Sequence, residues 1–103
     1  MSYCIIFSTA GTVGEATKIA DALLSAHAAS CVQMSPVNSM YHWKGKIEKS
    51  DEILLTIKTK DELYSAAEKI IRENHSYEVP QIIKVPITDG LPDYLNWIKK
   101  ETK

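Results

Sequence analysis

SMYHWKGKIEKSDEILLTIKT, residues Ser39 to Thr59, reads as one long β-hairpin. Trp43-Lys44-Gly45-Lys46 sets a glycine inside a four-residue turn, where a positive backbone dihedral carries no Cβ penalty, and β-favouring residues flank it on both sides. In the second arm Ile53, Leu55 and Ile57 fall on one face and Leu54, Thr56 and Lys58 on the other, the pattern of a half-buried strand. An arm running from Lys46 to Thr59 would span about 45 Å at ~3.3 Å per residue, against a radius of gyration of ~13 Å for a domain of ~100 residues. One end should overhang its own core. An overhang carrying Tyr41, Trp43 and Ile47 needs cover, so a specific oligomer is expected unless a bulge near Ser50-Asp51 folds the arm back.

The 103 residues are 45% hydrophobic, with 12 Lys+Arg against 13 Asp+Glu and a formal net charge of -1, the balance of one small globular domain spanning 1–103. Nucleic acid is not an expected partner, because phosphate binding needs a basic face and the chain has a single arginine, Arg72. No apolar run reaches the ~18 residues of a membrane span, and Met-Ser-Tyr-Cys-Ile-Ile-Phe lacks the features of a signal peptide, so the cytoplasm is the expected compartment. Cys4 and Cys31 form no disulfide framework and read as reduced thiols, Cys4 as a small buried hydrophobe.

Along the chain, Tyr3 to Ala10 predicts a central strand. Thr12 to Glu15 has the form of a capping box opening a helix whose stripe is Ala16, Ile19, Ala20, Leu23 and His27. Extended structure resumes at Ser30 to Met34, with Pro36-Val37-Asn38 expected to bend or bulge it. After the hairpin, Thr59 to Glu62 offers a second capping box for a helix turning Leu63, Ala66, Ala67, Ile70 and Ile71 inward and stopping near Asn74-His75. Gln81 to Ile87, with Pro86 late in it, suits a strand near an edge. Pro92 pre-sets a last helix with Leu91, Leu95 and Ile98 inward. The fold class expected from this order is α+β: a ferredoxin-like split βαβ sandwich with a long hairpin and an added C-terminal helix, one sheet face left open for subunit packing.

That fold selects no activity, and the residues exclude several. There is no Cys-x-x-Cys for a copper-chaperone site, no arginine in the first loop for an acylphosphatase, no basic-aromatic strand motif for RNA, and no nucleophile elbow. Gly11-Thr12-Val13-Gly14 offers free amides to an anion but reads more simply as a loop before a capped helix. Glu48 to Glu52 is a charge run, expected to be solvated. The richest cluster is His75-Ser76-Tyr77-Glu78-Val79-Pro80, an imidazole, a phenol and a carboxylate in one connection. Imidazole and carboxylate together suit Cu(II), Zn(II) or Ni(II), with further donors from the first loop, Cys31 or another subunit. The competing role for His75 is capping the helix end.

Ala29-Ser30-Cys31-Val32, Ser39-Met40-Tyr41-His42-Trp43-Lys44-Gly45-Lys46, Glu52 with the strand after it, His75-Ser76-Tyr77-Glu78-Val79-Pro80 and Tyr94-Leu95-Asn96-Trp97-Ile98, in this order, resemble the CutA divalent-cation tolerance proteins. The resemblance implies a cytoplasmic, PII-like homotrimer without enzymatic activity, involved in the response to metal ions and binding a divalent metal, copper foremost, with no organic cofactor. Cys31, His75 and Glu78 are its candidate metal donors. The alternative is a PII-like trimeric sensor that takes a small molecule or protein partner in inter-subunit clefts, although the tight turn at Lys44-Gly45 replaces the long mobile loop of that family. Gln33, Ser76 and the glycine-less segment from Pro36 to Ser39 depart from the usual CutA pattern.

Overall fold

Alternating burial in the second hairpin arm builds the sheet. In the computed structural model, which describes Met1 to Lys103, β1 (Tyr3–Ala10) is followed by α1 (Val13–Ser25), β2 (Cys31–Trp43), β3 (Lys46–Lys60), α2 (Tyr64–Glu73), β4 (Ile82–Ile87) and α3 (Pro92–Glu101). The fold is α+β, with one four-stranded sheet in the order β2-β3-β1-β4 and every neighbour antiparallel. At the hairpin tip Lys44 (φ 50°) and Gly45 (φ 78°) are both left-handed, the two-residue turn whose twist matches that of the strands it joins.

The β2–β3 ladder pairs residue for residue from Cys31↔Lys58 to Trp43↔Lys46, with Pro36 opposite Ile53 and Ser50 opposite Ser39. The bend expected at Pro36-Val37-Asn38 is therefore absent, and there is no bulge at Ser50-Asp51. Pro36 is tolerated because β2 is an edge strand, where a missing N–H breaks no inner ladder. Pro86 sits on the opposite edge, in β4. Next to β3, β1 reaches only as far as Ala10↔Ile53. The seven pairs from Val37↔Glu52 to Trp43↔Lys46 thus stand beyond the core as a two-stranded ribbon, and the molecule is 44 Å long for widths of 25 and 21 Å.

One sheet face carries Cys4, Ile6, Ala10, Leu55 and Ile57, sealed by Ala16, Ile19 and Leu23 of α1 and Ala67 and Ile71 of α2 into one buried cluster. Thr12 caps α1 by accepting from the Glu15 N–H at 3.1 Å, as its spacing predicts. The second capping box does not form. Asp61–Leu63 makes a 3-10 turn before α2, and the hydroxyl of Thr59, inside the core, donates instead to the Ala28 carbonyl at 2.6 Å. Burying a hydroxyl costs free energy unless it is hydrogen-bonded, and this one finds its acceptor in the turn before β2. Ala66 is exposed, Leu91 is the exposed residue before α3, and His27 lies past the end of α1 rather than on its buried stripe.

On the second face α3 runs by the end of β3: the Lys58 ammonium lies 5.4 Å from the Tyr94 ring centroid, and Ile98 is fully buried. Lys60 Nζ, on the same face, donates to the carbonyls of Thr102 (3.3 Å) and Lys103 (2.5 Å), and the Lys103 N–H donates to His27 O at 3.0 Å. The chain end is thereby tied to both β3 and the turn after α1. Farther along, Ile83 and Val85, opposite Phe7 and Ile5, stay 50% and 40% exposed, and Tyr94 and Trp97 of α3 are exposed as well.

Burial pushes the Cys4 thiol up to about 11 from 9.0, with the Asp61 carboxylate adding to the shift. A folded pKa above the unfolded one adds stability below pH 9 that is lost as pH rises towards 11. Cys4→Ala costs about 1 kcal/mol near neutrality through the lost volume. Because the linked loss exceeds that cost, the urea midpoints of the two proteins should converge above about pH 9 and cross before about pH 11; a constant gap would show that Cys4 does not titrate on unfolding.

Candidate functional site

Where the ribbon leaves the core, the connection from Asn74 to Gln81 comes alongside it and encloses a cleft of about 700 Å³. Asn38 to Trp43 of β2 form one wall, Tyr77 to Val79 and Gln81 the other, and Thr9 and Glu52 the floor. Strand parity explains the aromatic wall: Val37, Ser39, Tyr41 and Trp43 alternate on one face of the ribbon, the face shared by Glu52 through its pairing with Val37.

Glu52 is 7% exposed, and its Oε2 accepts a 2.7 Å hydrogen bond from the Tyr77 hydroxyl. Burial and that bond hold the Tyr77 phenol well above its ordinary range, so it remains a donor at neutral pH. Close approach at Gly11 lets the ring in, because a Cβ there would stand 3.2 Å from the Tyr77 hydroxyl oxygen.

His75 holds the connection from behind. Its Nε2 lies 2.6 Å from the Thr9 carbonyl, which can only accept, so Nε2 carries the hydrogen and Nδ1 of the neutral ring accepts from the Tyr77 N–H at 3.1 Å. The Glu15 carboxylate lies 3.4 Å from the same Nδ1, and the side chain is 1% exposed. Glu15 turns to His75 and the Ser76 N–H, leaving the capping box one-sided. His75 therefore brackets the connection onto β1, and the helix-end role expected for its ring is taken by Asn74, whose amide donates to Ile70 O.

The three candidate donors are not brought together within one chain. Glu78 is exposed and lines the cleft. His75 has both ring nitrogens engaged. Cys31, half-buried, lies at the start of β2 opposite Lys58, four residues along from the row that joins Ser35, Leu54 and Thr9. That separation is about 13 Å along the strands and about 10 Å across them. No group of three or more His, Cys, Asp or Glu side chains gathers in a way that could hold a metal ion, so one chain alone does not present a closed site.

Glu52 is the residue that sequence reasoning missed. Its neighbours Glu48, Lys49 and Asp51 are exposed as a charge run should be, whereas Glu52 is buried. The signal was available, since Glu52 continues the alternation of Leu54 and Thr56 and so belongs to the sheet rather than to the run. Tyr77→Phe leaves that carboxylate without its donor and should lower unfolding free energy by about 2 kcal/mol. Gly11→Ala alone should destabilise as well, but less in the Tyr77→Phe background, where the clashing oxygen is gone. Strict additivity in a denaturant double-mutant cycle would show that the two do not meet.

Residues 4–101 match the model of the CutA1 divalent ion tolerance protein family. Among characterised relatives, Protein CutA of Mus musculus is 40% identical over 85% of this chain and 50% of its own length. The divalent-cation tolerance protein CutA of Archaeoglobus fulgidus is 38% identical over 90% of this chain and 91% of its own. The chain thus spans about half the length of the mouse relative and nearly all of the archaeal one. The crystal structure of CutA from Xylella fastidiosa superposes with a TM-score of 0.96 at 38% identity, covering 100% of both chains. The family and its archaeal member carry the name of tolerance proteins, and the mouse and Xylella proteins are named simply CutA. With 98 of its residues inside the family match, from Cys4 to Glu101, the chain belongs to the CutA1 divalent ion tolerance family.

Proposed function

We propose that the protein is a non-enzymatic, cytoplasmic divalent-cation tolerance protein that works as a homotrimer, with a ferredoxin-like core assembled as in the PII proteins, and binds a divalent metal such as copper. Family membership supports the link to divalent cations. The unsupported ribbon and the exposed apolar side chains Ile83, Val85, Tyr94 and Trp97 support self-association, because a two-stranded ribbon is marginal alone and such surfaces gain from cover. Copper heads the affinity order for the nitrogen, oxygen and sulfur donors that Cys31, His75 and Glu78 supply.

The observation that carries the reading is the free Glu78 carboxylate in a cleft walled by the overhanging ribbon. A neighbouring chain covering that ribbon lies where it can complete a coordination sphere that one chain leaves open. Cys31 is a second donor with a reachable thiol, and His75 ligates only by releasing Thr9 O.

Chelator-stripped protein is titrated calorimetrically with Cu(II), Zn(II) and Ni(II), beside Glu78→Gln, Cys31→Ser and His75→Ala, with sedimentation equilibrium giving the mass. The expected outcome is a mass of three chains, Cu(II) saturating at a fixed ratio, and at least one variant about tenfold weaker or more. Non-saturating uptake, equal in all four proteins, sinks the metal-binding reading; a monomer mass sinks the trimer.

A further inference from the structure

The floor of the cleft holds a charge that the chain does not balance. Glu52 is more than nine-tenths buried, yet no cationic side chain pairs with it: the close acid–base contacts in the chain are Glu15 with the His75 ring and Asp61 with Lys84. One Glu52 oxygen accepts from Tyr77, and the other has no hydrogen-bond donor in the chain. It is not sealed off, because the one buried side-chain atom without a partner and without access is Ser8 Oγ. A carboxylate in this position is stabilised by whatever cation enters the cleft.

Two features fix the kind of cation. The acidic, histidine and cysteine side chains do not converge to within the ~2.0–2.6 Å that a bare divalent ion requires of each of several ligands. The cleft is instead about 700 Å³, in the range that takes a small organic molecule. Its wall presents the rings of Tyr41 and Trp43, on the same ribbon face as Glu52, with Met40 and Val79 beside them. Aromatic faces attract cations, and Trp43 already carries one, the Lys44 ammonium 5.6 Å from its ring centroid. Glu78 places a second carboxylate on the opposite wall, and Asn38 and Gln81 add amide groups.

We propose that this cleft binds a primary organic ammonium with an aromatic or apolar body, its N–H groups donating to the free Glu52 oxygen and its body lying against Tyr41 and Trp43. The ammonium supplies both the missing charge and the missing donor, and Tyr77 holds the carboxylate towards it. The site shares its cleft and Glu78 with the metal reading but rests on Glu52, and it is tested without metal.

The test is calorimetry of the chelator-treated protein, in its native oligomeric state, with phenethylammonium as the probe. Benzyltrimethylammonium, of similar size and charge but without N–H donors, and 3-phenylpropionate, of opposite charge, are the comparison ligands. Phenethylammonium is expected to saturate at one per chain, benzyltrimethylammonium to bind at least about tenfold more weakly and 3-phenylpropionate not at all. Glu52→Gln, which keeps an acceptor for Tyr77 but removes the charge, is expected to weaken the probe by about 30-fold or more. Failure of phenethylammonium to saturate overturns the proposal, as does equal binding of the two cations, which needs only the wild-type protein and so stands even if Glu52→Gln does not fold. Unchanged affinity in a folded Glu52→Gln protein, as when a lysine of a neighbouring chain already occupies the carboxylate, overturns it too.

Discussion

The uninterrupted ladder between β2 and β3 is the constraint on which the molecule depends. Thirteen pairs form without a bulge, whereas β1 offers β3 only eight partners, and these end at Ala10↔Ile53. Because each strand residue alternates sides, an unbroken register carries the inward set Ile53, Leu55 and Ile57 and the outward set Glu52, Leu54 and Thr56 in fixed phase from the core into the ribbon. A single slipped residue would turn Glu52 to the helix-covered face and Ile53 to the cleft. The position of the buried carboxylate is thus a consequence of register, set by the core many residues from the hairpin tip.

The same register explains why the connection after α2 is rigid although it has no regular structure. His75 donates to Thr9 O, Tyr77 donates to Glu52, and the His75 and Tyr77 rings lie 4.7 Å apart. Thr9 and Glu52 flank the last pairs of the three-stranded part of the sheet. The connection is therefore clamped across the point where β1 stops, and it closes the end of the core that the missing neighbour of β3 would otherwise leave open. Gly11 is part of the clamp because β1 must turn into α1 without a side chain in the path of Tyr77.

Much of this was legible in the chain itself. Alternation located β3 and its two faces, Thr12 and Pro92 located helix starts, and the turn chemistry of Lys44-Gly45 located the hairpin tip. The errors have a common cause. Pro36, Thr59 and Glu52 were each read from local preference, as a strand breaker, a helix cap and a solvated charge, and in each the sheet decided otherwise. Pro36 is harmless on an edge, Thr59 is drawn to Ala28 O across the core, and Glu52 is turned in by its parity. The site was half legible: the 75–80 segment stood out by composition, but that His75 faces backbone and Tyr77 faces a carboxylate from β3 depends on contacts between residues 25 and 66 positions apart.

The structure is incomplete on one side, and its open parts are adjacent. Glu52, Leu54, Thr56 and Lys58 share the second sheet face with Phe7, Ile83 and Val85, and the first of them is also the floor of the cleft. Any chain that covers this face and the ribbon must therefore pass close to the cleft mouth, where it either supplies groups to a ligand or narrows the space for one. Apolar area on the face would favour such a contact without regard to charge, whereas an unpaired buried carboxylate would oppose closure until a cation balanced it. Assembly and cation binding would then be linked, since the occupant that neutralises Glu52 also removes the principal electrostatic cost of sealing the cleft against a neighbour.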